Sequence, residues 1–448
     1  MLVFLFPGWV CSEVLAQSGI ENISRDVSGR IDQKIAKSNS KSEPAVKDLL
    51  AKPLTADSAV QIALWNNKSL QVILESWGIT KADFNKTRLP ENPQFAASIR
   101  FPQNKEQSNN VEFSIEQDFL SLILFPLKSN LAGAELHKAE LEITKEALDL
   151  AFEVKTAFYM AEASQEMFSM RKKVLVSAEA SNELVERQFK AGNINELELS
   201  NNRTVYQDAK LGYMKSEAEF IQAKENLNRL MGFGGEEPSW EIKDNLEEIQ
   251  AAEPSLEELQ SMAVSKRLDL AIAKKELEIK KHAISVERFG VLGHPEVGID
   301  TEKDVSGERV TGPTVRTDVP LYDLGQTDIS RAGAELKSAE YRFDALLNDV
   351  RSDIKMKRDR LFSIRQMAEE YKNSIIPVRT KVVEETQKHY NFMLLDVFHL
   401  IQAKQNEVIA QKEYTETLRD YWIARSDLEK AVSSKLLPSH QHRGGHNE

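Results

Sequence analysis

The sequence predicts a mainly α-helical chain made of two copies of one unit. Each copy is a β-hairpin joined to long coiled-coil helices, and the hairpins are expected to form a membrane β-barrel. Three observations carry that expectation. First, Ala132-Gly133-Ala134-Glu135-Leu136 recurs letter for letter as Ala332-Gly333-Ala334-Glu335-Leu336, an offset of 332 − 132 = 200. The apolar positions Ala132, Leu136, Ala139, Ile143, Ala147, Leu150 and Val154 step by 4, 3, 4, 4, 3 and 4. Ala332, Leu336, Ala339, Phe343, Leu347, Val350 and Ile354 take the same steps, and such spacing draws one apolar stripe along a long helix. Second, Tyr206, Ala209, Tyr213, Ser216, Phe220, Ala223, Leu227 and Leu230 alternate steps of 3 and 4, as do Glu407, Ala410, Tyr414, Thr417, Tyr421, Ala424, Leu428 and Ala431. That seven-residue period winds helices around their neighbours. Third, between the helices the apolar period drops to 2, the mark of strands. A repeat of about 200 residues is a duplicated domain rather than a solenoid module.

Composition narrows the function. The chain has 448 residues, with 58 Lys and Arg against 70 Asp and Glu, a formal charge of −12. Nucleic-acid surfaces need a basic face, and no basic cluster stands out, so no nucleic-acid partner is expected. Residues 1–16 read as an export signal: Met1 to Val10 is apolar, and Val14-Leu15-Ala16 suits signal peptidase. No Lys or Arg precedes the apolar core, so an upstream start is one alternative, and lipidation of Cys11 is another. Cys11 is the single cysteine, so a chain cleaved after Ala16 owes nothing to disulfides. Residues 17–50, rich in Ser, Asn and Lys without an evident apolar period, are expected to be a flexible leader. No segment approaches about 18 consecutive apolar residues, the length of a membrane-spanning helix.

The first repeat is expected over 51–232 and the second over 255–433, with a connection at 233–254 and a tail at 434–448. Each repeat opens with a short amphipathic helix, Leu54 to Leu70 and Leu256 to Leu270, with Thr55 or Asp57 as N-cap candidates in the first. A second helix ends near Leu89 and Gly290, where Pro90, Pro93 and Pro295 stop helical structure. Strands follow within about 94–119 and about 295–320. Phe95, Ala97, Ile99 and Phe101 alternate with Ala96, Ser98 and Arg100. After a turn near 103–110, Val111, Phe113 and Ile115 alternate with Glu112, Ser114 and Glu116. In the second repeat Val297, Ile299 and Thr301 alternate with Gly298, Asp300 and Glu302; after a turn near 304–313, Val315, Thr317 and Val319 alternate with Arg316 and Asp318.

Each strand reads as about 9–11 residues, enough to cross a bilayer when tilted. One face is apolar and the other charged, as in a barrel with lipid outside and water inside. A small sheet covering a soluble core is the competing structure; an exported chain whose helices feed straight into the strands favours the barrel. Four strands cannot close a barrel, and open edges are not tolerated in hydrocarbon. The chain must therefore oligomerise, two copies supplying eight strands or three supplying twelve. The long helices are expected from about Leu127 to Lys190 and from about Gly325 to Tyr390, each on the order of 95 Å. Pro377 is expected to kink or break the second.

Three local signatures join this layout. Phe189-Lys190-Ala191-Gly192-Asn193 with Glu196-Leu197-Glu198-Leu199 marks the first turn between paired helices. Leu227-Asn228-Arg229-Leu230-Met231-Gly232 ends the first coiled coil, and Tyr390-Asn391-Phe392-Met393-Leu394-Leu395-Asp396-Val397-Phe398 marks the second turn. Together with the duplicated unit, from about residue 54 to about 433, they resemble the TolC-type outer-membrane efflux channel family. The second-turn signature looks like the branch that serves heavy-metal exporters of the resistance–nodulation–division type. The resemblance implies a homotrimer with a 12-stranded outer-membrane barrel and an α-helical periplasmic tunnel, girdled by residues around 233–256 and the chain ends. It implies a periplasmic adaptor (membrane fusion protein) and an inner-membrane pump as partners. Its function would be passive export, of heavy-metal cations ahead of drugs or secreted proteins. At the second turn the family usually has Gly where Met393 stands.

No catalytic arrangement and no cofactor are expected. Gly232-Phe233-Gly234-Gly235 follows a helix rather than a strand, and the sequence has no phosphate-cradling loop, Cys pair or His-Glu-x-x-His run. The lumen face is expected to carry Glu112, Glu116, Asp300, Glu302 and Asp318 against Arg100 and Arg316. That acidic balance favours cations, although a barrel face that is merely wet would also be polar. The resemblance implies adaptor-contacting tips at Gly192, Asn193, Phe392 and Met393. It implies a periplasmic gate at Asp396 and His399, with Asn195 and Glu198 in the matching places of the first repeat. Asp396 and His399 are three apart and share a helix face; an imidazole titrates near neutral pH, and here it stands where the family has a carboxylate. His440, His442 and His446, close together on the tail, form a candidate site for copper, nickel or zinc, against a solvated tail with no role. A structural tether across the periplasm is the reading from another class, and it needs neither a polar lumen nor an openable tip.

Overall fold

The computed structural model describes residues 11–35, 42–101, 109–235, 238–242, 246, 249, 253–290, 295–303, 306–317, 322, 324–395 and 397–436. The opening ten residues of the expected signal, Asp318, Asp396 and the tail histidines His440, His442 and His446 lie outside the described residues. Two helices lead, α1 (Cys11–Ile31) and α2 (Ser42–Leu50). One order of elements then occurs twice. The first half has α3 (Ala56–Asn66), α4 (Lys68–Thr87), β1 (Gln94–Arg100), β2 (Asn110–Asp118), α5 (Phe119–Lys190) and α6 (Glu196–Leu230). The second has α7 (Leu256–Lys266), α8 (Leu268–Gly290), β3 (Glu296–Lys303), β4 (Arg309–Arg316), α9 (Gln326–Glu370), a π-helical segment (Tyr371–Ile375), α10 (Ile376–Asn391) and α11 (Val397–Val432). The described residues fall into two compact units. The first draws on the chain up to Ile20, Ile73–Ile143 and Leu268–Asn348, the second on Glu21–Val72, Thr144–Arg267 and from Asp349 on.

The first unit contains a four-stranded antiparallel sheet in the order β1-β2-β3-β4. Its strands have 7, 9, 8 and 8 residues, so β2 reaches the expected 9–11 and the other three fall short of it. The turn after β3 also ends earlier than expected, because β4 already begins at Arg309. Gly312-Pro313 looks like a turn, yet β4 is an edge strand, where a residue without a backbone N–H is admitted; Pro313 pairs with Ile299. The long helix α5 starts at Phe119 rather than near Leu127 and contains Pro126. Its start is set by Asp118, whose side chain accepts from the Ser121 N–H at 3.0 Å, an N-cap interaction that satisfies an otherwise orphaned donor.

The leader expected to be flexible over 17–50 is helical where α1 and α2 cross it, at 17–31 and 42–50. α1 buries Ile23, Val27 and Ile31, four residues apart, and α2 buries Val46; the intervening polar residues hid that helical step. The Lys435 N–H donates to the Arg30 carbonyl at 2.9 Å, and the Gln61 Nε2 and Trp65 Nε1 groups both donate to the Lys34 carbonyl, at 2.8 and 2.9 Å. Thr55 caps α3 through a reciprocal capping box with Ser58.

The helices expected over Leu54–Leu70 and Leu256–Leu270 each break three residues before those ends, at Asn67 and Arg267. There the halves correspond again. Asn67 Nδ2 donates to the Leu230 carbonyl at 2.9 Å, and Arg267 Nη1 to the Ala431 carbonyl at 3.3 Å. A polar side chain from the first helix break thus ties down the end of the last helix in each half. Heptad residues Ala209, Ser216, Leu227 and Leu230 of α6, and Ala410, Tyr421, Ala424 and Leu428 of α11, are buried.

Pro377 breaks the second long helix as expected, and the break has a definite form. Proline has no N–H to give Asn373, and its ring crowds that carbonyl. The helix widens ahead of it, so that Ile376 N–H reaches back five residues to the Tyr371 carbonyl. The counterpart α5 runs 72 residues without such a segment.

Candidate functional site

Pairing across the sheet decides which side chains share a face. The row Ser98, Glu112, Glu302, Val310 and the row Ala96, Ser114, Asp300, Gly312 stand on one side, with Arg100, Glu116 and Arg316. All the described residues expected in the lumen therefore share one face. Asp118 and Glu296 join them, two acids that the alternation implied but the sequence reading did not single out. The face holds six carboxylates (Glu112, Glu116, Asp118, Glu296, Asp300, Glu302) and two guanidinium groups (Arg100, Arg316), 2 − 6 = −4.

Its charges are partly paired. Arg100 lies 3.0 Å from Glu112, Asn110 donates to Glu302, and Arg316 bonds Glu116 and lies 3.6 Å from Glu296. Glu116 is only 5 % exposed because it lies over Gly298, where an added Cβ would fall 2.4 Å from the Ile115 carbonyl oxygen and 2.8 Å from Glu116 Cγ. Glycine is needed there for the close approach. The opposite face is apolar and open: Phe95 is 66 % exposed and Val315 is 70 % exposed, with Ile99, Phe113, Ile115 and Ile299 exposed beside them. A water-soluble sheet turns its apolar face inward, and this one does the reverse.

In the second unit, the two inter-helical turns have one geometry. Gly192 N–H donates to the Phe189 carbonyl and Asn193 N–H to Gln188, each at 2.9 Å. Met393 N–H donates to Tyr390 and Leu394 N–H to His389, again at 2.9 Å. This is the Schellman ending, which needs a left-handed residue at its centre. Gly192 has φ +76° and Met393 has φ +58°, so Met393 takes up a glycine's conformation against a steric penalty. Gly192, Asn193 and Phe392 are exposed, and Met393 is 94 % exposed. Asn195 caps α6, its Oδ1 accepting from the Glu198 N–H at 2.9 Å, so the expected gate pair of the first half is held in local hydrogen bonding. His399 is exposed beside the Phe398 ring, 6.3 Å between centroids.

The sequence reading missed a buried polar cluster in the second unit. Lys155 bonds Glu429 at 2.8 Å, both side chains less than a tenth exposed. Arg425 forks onto Glu253 at 2.6 and 2.7 Å and donates to the Leu436 carbonyl at 3.1 Å. Glu429 accepts the Leu436 N–H at 3.0 Å. One turn of α11 thereby grips both backbone groups of Leu436. Lys155, Arg425, Glu429 and Leu436 border a cavity of about 420 Å³ that Tyr159, Trp422 and Lys435 also line. A signal was present in the duplication: Asn228 stands where Glu429 does in the other half, and it accepts instead from Trp240 Nε1 at 2.8 Å. Among the described residues, no group of three or more His, Cys, Asp or Glu side chains is placed to hold a metal ion.

Residues 59–233 match the family described as outer membrane efflux protein. The cobalt-zinc-cadmium resistance protein CzcC of Cupriavidus metallidurans is 20 % identical over 331 residues, 73 % of this chain and 77 % of that protein. The CmeC outer membrane channel of Campylobacter jejuni superposes with a TM-score of 0.72 at 15 % identity, covering 91 % of each chain. CusC, crystallised in a study of transmembrane channel formation, gives a TM-score of 0.68 at 14 % identity over 84 % of this chain and 91 % of that one. At such identities the structures share a fold with this chain.

Proposed function

We propose, from the premise that residues 59–233 belong to the outer membrane efflux protein family, that the protein is the outer-membrane channel of a tripartite export system. It is a passive duct from the periplasm to the exterior, working with a periplasmic adaptor and an inner-membrane pump. The observation that carries this reading is the sheet, charged on one face and openly apolar on the other, with β1 and β4 as edges. An unpaired edge is not stable in hydrocarbon, so copies join β1 to β4. The family resemblance supports three copies, which would supply twelve strands. The exposed turns around Gly192 and Asn193 and around Phe392 and Met393 meet the adaptor.

The cargo proposed is a heavy-metal cation, supported by the likeness to the cobalt-zinc-cadmium resistance protein and by the acidic sheet face. A multidrug cargo is the second reading, and the pump rather than the duct would select it. Planar-bilayer conductance of the purified trimer tests the duct: a structural tether passes no current. A deletion strain should lose tolerance to cobalt, zinc, cadmium, copper or silver while keeping tolerance to lipophilic drugs; the opposite pattern moves the chain to the multidrug class.

A further inference from the structure

All four connections between helices and strands leave one end of the sheet, since β1 and β3 begin there and β2 and β4 end there. Each carries a large exposed apolar side chain: Leu89 before β1, Phe119 after β2, Phe289 before β3, and Tyr322 and Leu324 after β4. The start of α5 is the richest of them. Leu120 and Leu124 are buried within the unit, while Phe119, Leu122 and Ile123 are about half exposed and Pro126 is exposed. Those four stand at i, i+3, i+4 and i+7, one face of a helix. The helix therefore has two apolar stripes, and only one is covered by its own unit.

The surroundings say what covers the other. Strand alternation along β2 runs from Phe113 and Ile115 to Gln117, so the apolar sheet face leads directly to Phe119. Phe119 N–H is anchored to the Pro295 carbonyl at 3.0 Å, just ahead of β3. β2 is an inner strand, flanked by β1 and β3. A second copy of the chain meets the sheet at β1 or β4, so the space in front of β2 is not a subunit seam. No charged residue occurs in Phe119–Leu127. Charge resumes at Lys128, which lies 3.6 Å from Glu91. Nine helical residues rise about 13 Å, too short to span a bilayer and suited to its interfacial layer.

We propose that the opening turns of α5 are a membrane-contacting segment. Phe119, Leu122, Ile123 and Pro126 lie against lipid acyl chains at the rim of the barrel, and the Lys128–Glu91 pair sits among the headgroups. The lipid-contacting surface thus extends past the ends of the strands. This rests on the barrel reading above, and the test separates the two. Full-length protein in phospholipid vesicles carries a single nitroxide, in a Cys11→Ser background, at Ile115→Cys, Ile123→Cys or Leu184→Cys. Leu184 is an exposed apolar residue of the second unit. The expected ratio of oxygen to water-soluble nickel accessibility is several-fold higher at Ile115→Cys and Ile123→Cys than at Leu184→Cys. A nickel-accessible Ile115→Cys overturns the barrel reading itself. A lipid-exposed Ile115→Cys beside an Ile123→Cys that meets nickel, or that is shielded from both reagents as at a protein contact, overturns this proposal and leaves the barrel standing.

Discussion

Single residues show where the two halves have parted. Lys155 and Glu429 are buried against each other, whereas the repeat-equivalent Lys355 is exposed and Asn228 serves Trp240. Removing one member of a buried pair strands the other charge, which costs about 3–5 kcal/mol. Lys155→Met is therefore expected to lower stability by about that much, and adding Glu429→Gln should recover most of it, both read from urea unfolding. Asp149 gives a pH signature. Burial alone would lift its carboxyl, but Lys145 and Lys430 outweigh burial and hold it below the ordinary 3.8. A depressed carboxyl stabilises the fold above its unfolded pKa, and the contribution fades as pH falls through the folded value. Asp149→Asn should thus destabilise at neutral pH, with the difference from wild type narrowing between about pH 5 and about pH 2.

At the scale of elements, two helix ends stand out. The Met393 turn keeps a left-handed residue where its twin has glycine. Met393→Gly is expected to stabilise that turn by about 1 kcal/mol. Hydrogen exchange checks it: the Leu394 amide, bonded to the His389 carbonyl, should exchange about fivefold more slowly. The π-helical segment exists because Pro377 follows it. Pro377→Ala restores the missing donor, so the segment Tyr371–Ile375 should tighten toward α geometry. Slower exchange at those amides is the expected outcome, and unchanged exchange would place the cause of the widening elsewhere.

For the whole molecule, the proposed trimer multiplies the sheet's charge. Each chain offers a net −4 on its polar face, so a ring of copies attracts cations into the passage. Replacing Glu112, Asp300 and Glu302 with their amides is expected to lower the potassium-to-chloride permeability ratio without changing the oligomer. Reversal potentials under a salt gradient measure it, and an unchanged ratio would mean the acids merely keep that face wet.

The sequence by itself determined the duplication, the helical stripes, the heptads and the two faces of the sheet. Each is a periodicity, and periodicity follows from backbone geometry that neighbouring residues already fix. It also located the break at Pro377, because the missing donor is a property of that residue. Tertiary structure decided what depends on distant partners. Polar composition disguised α1, whose Ile23, Val27 and Ile31 find their burial only in the folded unit. Pro313 fell within the expected turn, yet it stands in β4 opposite Ile299. Arg425 and Glu429 are four apart on α11, an ordinary exposed-looking spacing, yet they close on Leu436 and on residues far back in the chain. Charge pairing across such separations leaves no period in the sequence, because its stabilisation exists only once the partners have been brought together and water has been excluded.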